Sequence, residues 1–112
     1  MQRGEIWLVE LDPTIGAEIR KARPAVIVSS DLVGILPLKV IVPFTEWKER
    51  YASAPWLVRI DPNRQNGLNK PSAADGLQIR SVSQQRLVQR LGTLSTAQVE
   101  AVVDAVKLIL QR

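Results

Sequence analysis

The chain contains no cysteine and no histidine among its 112 residues, and only five aromatic side chains. Without cysteine there is neither a disulfide framework nor a thiolate metal site, which fits a reducing compartment. The missing histidine removes the commonest general base and the commonest metal ligand, so catalysis would have to run on arginine, lysine, carboxylates, hydroxyls or backbone groups. A serine triad is excluded for the same reason, and no glycine-rich phosphate loop or metal-ligand spacing is present; no metal and no cofactor are expected. Five aromatics leave little for a base-stacking platform, so a grip on nucleic acid would lean on cations and backbone amides. No apolar run is long enough to span a bilayer. The first residues, "MQRGEIWLVELDP", lack a basic segment followed by an apolar stretch and a small-residue cleavage site, so a cytoplasmic protein away from membranes is expected.

The residues that are present describe one globular unit. At 46% hydrophobic and 23% charged, the length suits a single domain over 1–112 with one hydrophobic core. No repeat, linker or low-complexity stretch divides it. Fifteen Lys and Arg against eleven Asp and Glu give a formal charge of +4 and a pI near 10.0, which favours a polyanionic partner without requiring one.

Short β-branched apolar runs recur between turn signals: "EIWLVEL" (5–11), "AVIVSS" (25–30), "LKVIVPF" (38–44), "WLVRI" (56–60), "GLQIRSV" (76–82) and "RLVQRLGTL" (86–94), with a loop expected over 61–72. Strands at this spacing with one long helical pattern predict a small antiparallel β-barrel or half-open sheet. The helix comes last. Ser95 and Gln98 have the spacing of a capping box, and Val99, Val102, Val103, Val106, Ile109 and Leu110 follow as one apolar stripe. A lone helix beside a sheet normally closes the core, and docking of a partner helix is the other use of such a stripe.

The stretch "GAEIRKARPAVIVSS" (16–30) concentrates Arg20, Lys21 and Arg23 just ahead of a buried strand. Proline disfavours the helical conformation in the residue before it and fixes its own φ, so Arg23 is presented from an extended segment by Pro24. An arginine so placed either caps a strand end or serves a site. Ser29, Ser30 and Asp31 read as a strand-end turn, and Glu46 and Glu49 as solvated surface rather than an acid/base pair.

Taken in order, "RGEIWLVELDPTIGAE", "RPAVIVSSD", "VIVPFT", "LQIRSVSQQRL" and "LGTLS" resemble the MazF/PemK family of toxins from type II toxin–antitoxin modules, over nearly the whole chain. The resemblance implies an SH3-like antiparallel β-barrel with a C-terminal α-helix, of the MazF/PemK/CcdB-like kind, and a homodimer. It also implies a metal-independent, sequence-specific endoribonuclease that cuts single-stranded RNA and is silenced by a cognate antitoxin, commonly through a disordered, acid-rich tail. On this resemblance the catalytic arginine falls on Arg23 and the catalytic threonine on Thr45, with Glu18 a candidate to orient Arg23. Arg20 and Lys21 are candidate RNA-binding residues, as are Gln78 for a base edge and Arg80 for phosphate or the dimer.

The pattern departs from the family at one point. The acidic residue usual before the glutamine is replaced by Leu77, and the nearest acid, Asp75, stands two residues earlier. Catalysis is therefore expected to rest on Arg23 and Thr45, flanked by loops 12–23 and 46–55. Two other readings stay open: a noncatalytic CcdB-like toxin that poisons a protein target such as DNA gyrase, and a basic barrel that only binds nucleic acid.

Overall fold

The computed structural model describes residues 1–111; Arg112, the last residue of the expected domain, lies outside them. Seven strands and one helix follow in the order β1 (Glu5–Glu10), β2 (Ala22–Ile27), β3 (Leu38–Glu46), β4 (Leu57–Ile60), β5 (Ser72–Asp75), β6 (Arg80–Ser83), β7 (Leu87–Thr93) and α1 (Thr96–Leu110). All pairings are antiparallel, in the order β4-β5-β3-β2-β1-β7, with β6 also on β3. The sheet curls but does not close, because β4 and β7 end it without pairing to each other. The expected mainly-β fold with a C-terminal helix is present, and "barrel" describes it only loosely.

β3 organises the sheet. Its first half pairs with β6 and its last three residues with β5, while Ile41, Val42 and Pro43 pair with β2. Alternation along the strands sends side chains to two faces. On one face Ile6, Val26, Val42, Phe44 and Ala74 pack against Val99, Val102 and Val106 of α1. On the other, Val9, Ala25, Ile27 and Ile41 form a smaller cluster against which Ile19 and Trp7 pack. The helix is the one expected. Ser95 Oγ accepts from Gln98 N–H at 3.2 Å and Gln98 Oε1 accepts from Ser95 N–H at 3.1 Å, a cap worth about 1 kcal/mol. Leu94 and Val99, just outside and one turn inside, share the core. Of the expected stripe, Leu110 is 77% exposed and Ala105 is buried in its stead.

Three expected boundaries shift. The strand expected over 25–30 runs instead over Ala22–Ile27, so Arg23 lies inside β2 and Ser29 and Ser30 beyond it, because β1 pairs with the chain from Ala22 onward. The 76–82 run splits into a 3-10 turn at Gly76–Gln78, capped by the Asp75 carboxylate accepting from Leu77 N–H at 3.1 Å, and β6. Gly76 lies under the helix, where an added Cβ would stand 3.4 Å from Val106 Cγ2. Between the expected loop over 61–72 and the 76–82 run stands an unexpected strand, β5, which takes Ser72 from the loop's end and three more residues, a stretch with little β-propensity. The rest of that loop is rigid. Asn66 is fully buried, donates from Nδ2 to Asp61 C=O at 2.9 Å, and accepts at Oδ1 from Asn63 and Leu68 N–H, each at 3.1 Å. Next to it, Gly67 has a φ of 68°, and an added Cβ would lie 2.0 Å from Leu91 C=O, so the loop rests directly on β7. Asn66→Ala strips three backbone groups of their partner and is expected to cost about 2–4 kcal/mol, read as a lower urea midpoint.

Candidate functional site

β2 and β3 carry both candidate catalytic side chains. Their ladder runs Ile27↔Ile41, Val26↔Val42, Ala25↔Pro43 and stops there. Pro43 and Pro24 have no N–H to extend it. Arg23 lies two residues before Ala25 on β2 and Thr45 two residues beyond Pro43 on β3, so both stand just past the end of the ladder. With the ladder interrupted, a cleft of about 230 Å³ opens between them, lined by Arg23, Pro24 and Thr45 and walled by Leu68, Asn69 and Lys70 of the asparagine-tied loop. Lys70 Nζ stands 3.3 Å from Glu46 Oε2 at the rim, both side chains about 60% exposed, an ion pair of little energetic weight.

Among the described residues, no other side chain or backbone group engages the Arg23 guanidinium or the Thr45 hydroxyl. Unpaired donors lining one cleft on paired strands are suited chemically to an anionic group with two adjacent oxygens.

The other predicted site residues lie elsewhere. Glu18 forms no ion pair with Arg23; its carboxylate accepts from Ile15 N–H at 2.6 Å within its own loop. Gln78 is occupied, accepting from Ile19 N–H at 2.5 Å and donating to Ala17 C=O at 3.0 Å. Arg80 donates to Leu11 C=O at 3.1 Å, and Arg86 to the carbonyls of Glu10 and Asp12. Gln78, Arg80 and Arg86 thus staple the loop before β2 to the sheet and hold the approach to Arg23. Within that loop Arg20 is exposed, and Lys21, at φ 68°, donates its N–H to Asp12 Oδ2 at 3.1 Å. Neither lines the cleft. The expected turn after β2 is structural: Ser30 Oγ accepts from Leu32 N–H and Asp31 Oδ1 from Arg3 N–H.

A second cleft, of about 450 Å³, adjoins the first, and Thr45 is the one residue lining both. It contains Asp75, which sequence reasoning had set aside. Ala73 pairs with Thr45 and with Arg59, and Asp75, two residues along β5, falls on the same face. Burial pushes the Asp75 carboxyl above its ordinary pKa, against the opposing pull of the Leu77 and Gln78 N–H groups. The scarcity of aromatics also misleads, because three of the five, Trp47, Tyr51 and Trp56, fall within ten residues beside this cleft. Their spacing in "TEWKERYASAPW" was the available signal.

Residues 2–110 match the model of the PemK-like, MazF-like toxins of type II toxin–antitoxin systems. The chain belongs to this family. It is 34% identical, over an alignment of 114 residues, to the endoribonuclease MazF9 of Mycobacterium tuberculosis, covering 96% of this chain and 94% of that protein. The crystal structure of MazF from Deinococcus radiodurans superposes with a TM-score of 0.80 at 19% identity, covering 98% and 96% of the two chains. An endoribonuclease from a mycobacterial species, solved in complex with its cognate antitoxin, gives a TM-score of 0.75 at 20% identity, covering 98% and 94%. These two likenesses establish the toxin fold. The family resemblance carried by "RPAVIVSSD" and "VIVPFT" is thereby confirmed at the level of the chain, and both motifs lead into the Arg23–Thr45 cleft.

Proposed function

We propose that this toxin is a sequence-specific endoribonuclease that cuts single-stranded RNA without a metal, using the substrate's own 2′-hydroxyl. The observation that carries the reading is that Arg23 and Thr45, whose side-chain donors have no protein partner among the described residues, line one cleft. The 2′-hydroxyl gives up its proton to solvent as its oxygen bonds to the adjacent phosphorus, the bond from phosphorus to the 5′-oxygen breaks, and that oxygen takes a proton from solvent, leaving a 2′,3′-cyclic phosphate and a 5′-hydroxyl. Negative charge builds on the phosphoryl oxygens along the way. A guanidinium forks onto two such oxygens and stays charged at neutral pH, so Arg23 stabilises that charge, and Thr45 donates a hydroxyl hydrogen bond to the same group. Among the described residues no group of three or more Asp or Glu side chains is close enough to hold a metal ion.

Arg23 in the cleft, with Arg20, Lys21 and Lys48 on the flanking loops, offers an acidic, disordered antitoxin tail the surface that RNA phosphates would use, so antitoxin and RNA compete. A homodimer is supported by the exposed apolar run after β2, where Leu32 and Ile35 are 92% and 91% exposed. No helix among the described residues is long and apolar enough to cross a membrane, and the reading places the protein in the cytoplasm with its substrate. Purified protein incubated with single-stranded RNA in EDTA is expected to cut at one short sequence. Intact RNA would overturn the reading, and intact RNA with inhibited DNA gyrase would replace it with protein poisoning.

A further inference from the structure

The cleft beyond Thr45 has the make-up of a nucleobase pocket. Its walls are Tyr51, from the 3-10 turn Glu49–Ser53, and Trp56, in the turn just before β4, while Leu57 and Ala54 add apolar surface and Asp75 is the carboxylate. The Tyr51 wall is braced: the Arg50 guanidinium sits 5.5 Å from its ring centroid, and Trp47 meets it edge-on with centroids 6.0 Å apart and planes at 82°. Trp47 is held in turn by the Arg59 guanidinium, 5.2 Å from its ring. Arg59 is tied to Asp61 at 2.9 Å, whereas Arg50 has no carboxylate partner among the described residues. Aromatic faces with a free arginine beside them are what single-stranded RNA stacks on, and splayed bases are read on their Watson–Crick edges.

Position adds the second part of the argument. Because Thr45 is shared by the two clefts, a phosphate held by Arg23 and Thr45 has the second cleft directly beside it. We infer that this cleft takes the base of one nucleotide flanking the scissile phosphate, stacked against Tyr51 and Trp56, with Asp75 selecting a base edge that donates. The inference rests on the RNA-cleaving reading and assigns it a specificity-determining residue. The Leu77 and Gln78 N–H groups occupy only part of the acceptor capacity of a carboxylate. Guanine presents two adjacent donors, N1–H and the N2 amino group, which match the two oxygens of a carboxylate. Uracil presents a single N–H between two carbonyl oxygens that a carboxylate repels. Guanine is therefore the favoured occupant and uracil the most disfavoured.

Two measurements test this. Once the cut is mapped, RNAs varied at each flanking base are expected to show at least tenfold preference for guanine over uracil at one of them. Asp75→Asn keeps an oxygen to cap Leu77 N–H but turns one acceptor into a donor, and is expected to erase that preference. For binding, an oligonucleotide with 2′-deoxy sugar at the cut is titrated by fluorescence anisotropy. Tyr51→Ala is expected to weaken it about 5- to 100-fold, the range for losing one base–aromatic stack, with an unchanged urea midpoint. An unchanged base profile in Asp75→Asn, or unchanged affinity in Tyr51→Ala, would overturn the pocket while leaving RNA cleavage standing. If the wild type cuts no RNA, the enzymatic reading fails instead, and titrating the wild type and Tyr51→Ala with short guanine-rich and uracil-rich single strands, which need no mapped cut, decides the pocket.

Discussion

Arg23→Ala is expected to slow RNA cleavage about 10²–10³-fold, the usual cost of removing one preorganised donor from the charge that develops in a transition state. The loss should fall on the rate of the chemical step more than on RNA affinity, because other basic groups on the flanking loops also attract the strand. The fold should be untouched. Arg23 is exposed and makes no ion pair among the described residues, and the ladder position opposite Val9 is held by its backbone. Arg23→Lys should also be impaired, since an ammonium supplies a point charge and not a planar fork. Single-turnover cleavage, with the urea midpoint as control, checks both variants; near wild-type rates in Arg23→Ala would remove this residue from the site.

Replacing the 2′-hydroxyl by hydrogen at the nucleotide before the cut is expected to abolish cleavage there while binding persists. The attacking oxygen then no longer exists, whereas the phosphate and base contacts remain. With the natural substrate the product should carry a 2′,3′-cyclic phosphate, and EDTA should leave the rate unchanged. Mass spectrometry of the fragments distinguishes the products. A deoxy substrate still cut at that position would require water as nucleophile, and the assignment of Arg23 and Thr45 to an internal transesterification would be wrong.

On the proposed reading, the placement of the two clefts lets a small basic domain without histidine join chemistry to sequence choice. Arg23 and Thr45 would hold the group that reacts, on strands that cannot shift without breaking the sheet. The loop that carries Tyr51 and the short strand that carries Asp75 sit on the far side of Thr45. Variation in that loop can then alter which base is accepted without moving the reacting phosphate, a separation between rigid scaffold and variable rim.

Local chemistry determined much of this protein. The β-branched runs become strands because they suit a pleated, half-buried surface, and Ser95 with Gln98 starts the helix through hydrogen bonds only four residues wide. Pro24 holds Arg23 extended whatever surrounds it, which is why that residue stood out before any neighbour was known. What lay beyond the sequence was every relation between distant segments. Ser-Ala-Ala-Asp has no intrinsic call to be a strand, and becomes β5 because β3 and β4 hydrogen-bond it from both sides. Glu18, Gln78 and Arg80 look like site residues by motif, but the fold spends their polar atoms on the loop before β2, where unpaired backbone groups need partners. Strand pairing across the chain decided that Arg23 and Thr45 line one cleft, and register on β5 set Asp75 on the side of the sheet that Thr45 occupies.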